Sequence, residues 1–228
     1  MAEQVFKLMN MRSAELDDRS TKARIRDAAI EVFAAEGPST TARKVADAAG
    51  VSPGLVIHHF GSMDGLRDAC DAHVIATIHA QKSEAMGGGP GVDLVSAIRS
   101  FDDHHLPAYL ARMLTEDSEA SAGLVDAIVA DAVEYFEQGV AAGSLRPSAD
   151  PAGRAAVMTL FSLGSLVLHH HARRLLGVDL VDPATEPADL IAYAGPALEI
   201  LGEGIFTDAF AAAARQAFEA VATEQETP

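Results

Sequence analysis

Cysteine is nearly absent: Cys70 stands alone in 228 residues, which excludes an intramolecular disulfide framework and fits a reducing compartment. Positive charge is scarce as well. Seventeen Lys and Arg face 33 Asp and Glu, leaving a formal charge of −16, and a polyanion should repel such a chain taken whole. Long apolar runs are missing too. The longest, Ala155 to Leu168, falls short of the roughly 20 residues that cross a bilayer. No apolar segment followed by a small-residue cleavage site opens the chain. A cytoplasmic protein without a membrane segment is the expectation. Alternating strand patterns are short, alanine is abundant, and 49% of residues are hydrophobic, which together predict an all-α fold with an ordinary buried core.

The shortage of positive charge is uneven. Residues 1–60 hold eight basic and eight acidic side chains, so the remaining chain carries the whole net charge. Between Arg19 and Phe60 six basic residues exceed four acidic ones. One end of the molecule can therefore approach phosphate while the other turns away from it.

Residues 1–18 lack sustained periodicity and read as a mobile tail. From Thr21 onward Ile25, Ala28, Ala29, Val32 and Phe33 form one apolar stripe, ended by Gly37-Pro38. Thr40 or Thr41 can cap a second helix to Ala49, and Gly50 suits its left-handed end. Ser52 and Pro53 open a short third helix to about His59, and Ser62 caps a fourth that runs to Met86. The run Gly87 to Gly91 breaks the chain. No strand precedes it and no Gly-Lys-Ser/Thr follows, so it reads as a flexible connection and not a phosphate loop. Further helices are expected at about 92–105, 107–115, 121–142, 151–176, 189–206 and 208–223. The 151–176 helix is apolar on nearly every face from Ala155 to Leu168 and should be buried all round, against its own domain and a partner subunit.

Two short helices joined by Gly50-Val51-Ser52 and flanked by longer ones suit a helix-turn-helix, whose second helix presents its N-terminal part to the major groove. Val51, Val56 and Phe60 are spaced to pack inward. Leu55, Ile57, His58 and His59 are left near the outer surface.

The stretch Thr40-Thr41-Ala42-Arg43-Lys44-Val45-Ala46-Asp47-Ala48-Ala49-Gly50-Val51-Ser52-Pro53-Gly54-Leu55-Val56-Ile57-His58-His59-Phe60 resembles the DNA-binding signature of the TetR family. Ala28, Phe33 and Gly37 before it, and Ser62 and Leu66 after it, agree with the same pattern. The resemblance implies a DNA-binding head at 19–66 and a helical ligand-binding and dimerisation domain at 67–228. It implies a homodimer that binds double-stranded operator DNA and a small-molecule effector, as a repressor released by a largely apolar compound. Thr41 and His59 would then lie at phosphates, and Arg43 and Lys44 at backbone or a groove edge, with Thr40 also among the DNA-binding residues. Ser52, Pro53, Gly54, Leu55 and His58 would lie on or near the groove face. Arg43 either reaches guanine through two hydrogen bonds or stays a solvated cation. Ile57 stands where the family usually has tyrosine, and Met63 where it usually has lysine. Ile57 can touch a thymine methyl or pack on the protein. The two departures keep open a helical ligand-binding protein that no longer binds DNA.

For the effector, Phe101, His105, Tyr109, Met113, Tyr135, Met158, Phe161 and His169 are amphipathic or apolar groups on helices expected to converge. Each can equally be plain core. The run His169-His170-His171 invites a metal, but helical neighbours point about 100° apart and no HxxxH or HExxH pair accompanies them. No metal, no cofactor and no enzyme are expected, since GxSxG and metal-ligand spacings are missing. Cys70 is either a small buried thiol or a redox sensor.

Overall fold

The computed structural model describes residues 2–89 and 105–225. Ten helices are formed among them: α1 (Ala2–Glu36), α2 (Ala42–Ala49), α3 (Pro53–Phe60), α4 (Met63–Gly87), α5 (Leu106–Met113), α6 (Glu119–Ala141), α7 (Pro151–Val167), α8 (His169–Leu176), α9 (Ile191–Gly202) and α10 (Asp208–Gln225). The fold is all-α, as the composition predicts. Side-chain caps set most starts: Thr41, Ser52, Ser62, Ser118 and Asp150 each accept a hydrogen bond from the first turn they precede.

One hydrophobic core runs from the N-terminal helices into the C-terminal ones. Ile25, Ala29 and Phe33 of α1 meet Val45 and Ala46 of α2, Val56 of α3, and Leu66, Cys70 and Val74 of α4. The same cluster continues through Leu106, Tyr109 and Met113 of α5 into Leu124 and Ile128 of α6 and Leu163 of α7. Helix α5 therefore packs on α1 and on α7, while α4 packs on α6.

Two expectations are corrected. The segment read as a tail is helical, because α1 begins at Ala2 and no glycine or proline interrupts it before Gly37. A helix needs no apolar stripe when strong helix formers fill it, so periodicity alone misjudged this stretch. The 151–176 helix is two helices, whose axes bend by 76° at Leu168. Ser162 and Ser165 turn their hydroxyls back onto the carbonyls of Met158 and Ser162, which loosens the last turns of α7. Beyond the bend, His169 is tied to Asp179 at 3.0 Å. Within the single chain this segment is buried on one face, which leaves the expected contact with a partner subunit open. Ala155, Thr159 and Leu163 are buried, whereas Phe161 is 64% exposed and Leu160 and Leu168 stand out beside it. The helix expected at 92–105 lies outside the described residues apart from His105. No single helix among the described residues is long and apolar enough to cross a membrane.

Candidate DNA-reading head and effector cavity

The turn between α2 and α3 is built by three small residues. Gly50 takes φ +65°, a left-handed conformation that closes α2, and the Val51 N–H donates to the Ala46 carbonyl at 2.9 Å. Ser52 then accepts from the Leu55 N–H at 3.2 Å, and Pro53 supplies the first helical residue. Gly65 was not singled out from sequence, yet its place is demanding. A Cβ there would lie 2.3 Å from the Phe60 carbonyl oxygen, so only glycine lets the start of α4 press this closely on the end of α3.

This frame sorts the side chains. Val45, Ala46, Ala49 and Val56 are buried, and Val51, Leu55, Phe60 and Met63 pack half-buried against them. Thr41, Arg43, Lys44, Ser52, Pro53, Gly54, Ile57 and His58 are exposed on one stretch of α2 and α3, while Thr40 and His59 are half-buried. Ile57, at 39% exposure, is outside the core. Leu55, expected near the outer surface, leans inward instead.

Glu36, at the end of α1, holds two of the residues expected to bind DNA. Its Oε2 accepts from Thr40 Oγ1 at 2.9 Å and from Lys44 Nζ at 2.7 Å. The Lys44 hydrogen bond, then that of Thr40, draws the Glu36 carboxyl below its ordinary range. The signal for this knot is plain in hindsight: an acid one helical turn before a threonine and eight residues before a lysine.

Helix α5 ties the head to the rest. Tyr109 packs edge-on against Phe33 with centroids 6.2 Å apart, and its hydroxyl donates to Asp71 Oδ1 at 2.6 Å. Burial raises the Asp71 carboxyl above its ordinary value, against the downward pull of the Tyr109 hydrogen bond and the Arg67 charge. Arg67 Nε lies 3.8 Å from Asp71 Oδ2, too far for a hydrogen bond, and stays buried without a partner. One turn on, Arg112 Nη2 donates to the Glu36 carbonyl at 3.2 Å. Gly37, with φ +89°, leaves the room this guanidinium occupies, since a Cβ would sit 2.9 Å from Arg112 Nε.

A cavity of about 490 Å3 opens on the other side of α5. Leu106, Pro107 and Leu110 of α5 wall it, with Ile78 and Lys82 of α4, Ile128 and Tyr135 of α6, Thr159 and Leu163 of α7, and the segment from Leu180 to Tyr193. Of the residues expected to line such a site, Tyr135 does so. Tyr109 and Met113 are fully buried in the core between α1 and α5. Met158 is half-buried and Phe161 exposed, and neither lines the cavity. His105 faces Glu31 of α1 at 3.9 Å. His169 pairs with Asp179; burial pushes that carboxyl up, but the His169 and Val181 hydrogen bonds outweigh it and leave it lowered. Phe101 lies outside the described residues. Lys82, Thr159 and the 180–193 wall were missed from sequence. A wider groove of about 590 Å3 lies over Leu114, Val125, Leu160 and Leu168, along the exposed flank of α7.

In the histidine run, the rings of His169 and His170 lie 3.9 Å apart and are tilted by 38° to one another. A different set could hold a cation. His79 of α4 and Asp131 and Glu134 of α6 each offer one ligand atom within 4.8 Å of the others. Two of these are already engaged: His79 Nδ1 meets Asp131 Oδ1 at 2.5 Å, and Ser83 lies 3.2 Å from His79 Nε2. The pair staples α4 to α6.

Two family models match the chain: "Bacterial regulatory proteins, tetR family" over residues 25–70, and "Tetracyclin repressor-like, C-terminal domain" over residues 102–207. The HTH-type transcriptional regulatory protein RaaS of Mycobacterium tuberculosis is 36% identical over 216 residues, spanning 90% of this chain and 97% of that protein. The HTH-type transcriptional regulator BetI of Burkholderia mallei is 33% identical over 92 residues, 38% of this chain and 47% of that one. In structure the chain is similar to NalD, the secondary repressor of the MexAB-OprM multidrug efflux pump in Pseudomonas aeruginosa. That likeness has a TM-score of 0.52 and 22% identity over 84% of this chain and 100% of NalD, and it speaks for the fold. With a capped helix-turn-helix at residues 42–60 and matches across both halves, the chain belongs to the TetR family of DNA-binding transcriptional regulators.

Proposed function

We propose that this regulator is a homodimeric repressor, released from a pseudo-palindromic operator by a small, largely apolar molecule. The observation that carries the reading is the double duty of α5. Through Leu106, Pro107 and Leu110 it walls the cavity, and through Tyr109 and Arg112 it holds α4 and the end of α1. A ligand that displaces α5 thereby shifts the helix on which the reading head is mounted. Occupancy matters only if the ligand favours the DNA-incompetent arrangement; a hundredfold induction needs about 2.7 kcal/mol of differential binding. The DNA-facing set is Thr40, Thr41, Arg43, Lys44, Ser52, Pro53, Gly54, Leu55, Ile57, His58 and His59. Within it, Thr40 and Lys44 leave Glu36 on contact with phosphate. The dimer reading is supported by the exposed apolar side chains of α7 to α10, among them Phe161 and Leu198. The protein acts in the cytoplasm, where the operator is, and by binding rather than catalysis.

The test is a gel-shift with the DNA upstream of the regulator's own gene, followed by apolar compounds. A shifted band of dimer stoichiometry that a compound abolishes is the expected result. No shift at low salt with any upstream fragment would leave a helical ligand-binding protein and refute the operator reading.

A further inference from the structure

The cavity is apolar on most of its wall, but two of its polar groups have no hydrogen-bond or ion-pair partner among the described residues. Lys82 of α4 lines it, and among those residues no carboxylate pairs with its ammonium. Part of the Lys82 side chain is exposed to solvent, and the protein packed around the rest lowers its pKa by desolvation. Thr159 of α7 is 4% exposed, and its Oγ1 is buried without a hydrogen bond. The acid on the wall, Asp182, accepts from the Ala184 N–H at 2.9 Å. Tyr135, whose hydroxyl burial holds above its ordinary range, remains a neutral donor. A volume of about 490 Å3 falls among ligand pockets, which run from roughly 300 to 1,000 Å3.

We propose that the effector is an anionic amphiphile: an apolar body with a single carboxylate-type head, Lys82 serving as its counter-ion and Thr159 donating to a ligand oxygen. A wholly apolar ligand would complete the desolvation of Lys82 and leave the Thr159 hydroxyl without an acceptor, both unfavourable. A cationic ligand would add repulsion to that. A carboxylate accepts from both groups through charge-assisted hydrogen bonds, the stronger being the one to the Lys82 ammonium, where donor and acceptor are both ionised. Leu106, Leu110, Ile128 and Leu163 then enclose the body. This inference rests on the proposal that the cavity takes the effector.

Three probes of equal chain length separate the classes: decanoate, 1-decanol and decylamine, titrated calorimetrically into the full-length protein without DNA. Decanoate is expected to bind on the order of tenfold more tightly than either neighbour. Lys82→Met should weaken decanoate about tenfold and move 1-decanol less than about twofold, and Thr159→Val should weaken decanoate about threefold to tenfold. Equal affinity for decanoate and 1-decanol in the wild-type protein would overturn the proposal, as would no binding of any probe. So would a Lys82→Met variant that weakens both probes alike. The wild-type comparison requires no variant to fold. Operator release is scored apart: decanoate that binds selectively without releasing DNA supports the head-group chemistry of the cavity but overturns its role as the effector site, and with it the repressor-release reading. Release by 1-decanol but not decanoate does the reverse.

Discussion

Glu36 meets three partners at once. Its carbonyl accepts from Arg112 and its carboxylate holds Thr40 and Lys44, so the residue that ends α1 also positions part of the set proposed to face DNA. Met63 shows how a departure from the family pattern is accommodated. Half-buried in the first turn of α4, it rests its side chain on the core beneath the reading head. Met63→Lys can keep that stem packed while its ammonium reaches outward. Operator affinity measured across salt concentrations should then rise at low salt, with a log–log slope steeper by ~0.9 per subunit, or ~1.8 per dimer. Preferred sequence should not change, because phosphate contacts position without specifying. Parallel salt lines for the two proteins would mean that position 63 does not face DNA. Cys70 is the other residue with a plain expectation. Burial, with the Asp71 charge adding to it, pushes its thiol from an ordinary 9.0 up to about 12. That leaves the thiolate scarce at neutral pH. Alkylation by iodoacetamide should therefore be negligible in the folded protein and rapid in denaturant; rapid labelling of the native protein would revive the redox-sensor reading.

At the scale of helices, α5 is where cavity and reading head come closest. Tyr109→Phe removes the donor to Asp71 and leaves a desolvated carboxylate, a loss of about 1–3 kcal/mol at neutral pH. The sign with pH follows from the direction of the shift. The Asp71 pKa is already raised by burial, so its charged form opposes folding, and that opposition fades as pH falls through the folded pKa. The variant should thus be clearly less stable than wild type at pH 7 and closer to it near pH 4, by denaturant titration. An equal deficit at both values would place the effect in packing rather than charge. The helices themselves were legible because their ends are chemically marked: Ser52, Ser62 and Ser118 cap, and Gly37, Gly50 and Gly177 turn the chain left-handed. The break at Leu168 was not, since Leu, Ser and His carry no stop signal and the bend arises from back-bonded serines and a distant Asp179. The inward and outward faces of the reading head could be read from local spacing, apart from Leu55. The cavity could not, for Lys82, Thr159 and Leu180 are far apart in sequence and share no pattern. The same holds for Tyr109 with Asp71, 38 residues apart, and His79 with Asp131, 52 apart.

Across the whole molecule, the net negative charge and most of the exposed large apolar side chains both fall outside the reading head. The balanced charge of residues 1–60 sits with the reading head, and the acidic remainder also carries the exposed apolar side chains of α7 to α10. Leu198 suits a probe of the subunit contact because it is 71% exposed, whereas Leu163 belongs to the chain's own core. Leu198→Arg should shift sedimentation from dimer toward monomer at micromolar concentration and weaken operator binding, while α-helical content persists. A wild-type monomer that stays monomeric on DNA would sink the dimer. Those uncovered apolar side chains also change what stability means for this protein. Under the dimeric reading, folding is completed by a second copy, so the native state is a second-order product. Its melting temperature should climb with protein concentration, and a cell that halves its copy number would lose more than half of its operator-competent molecules.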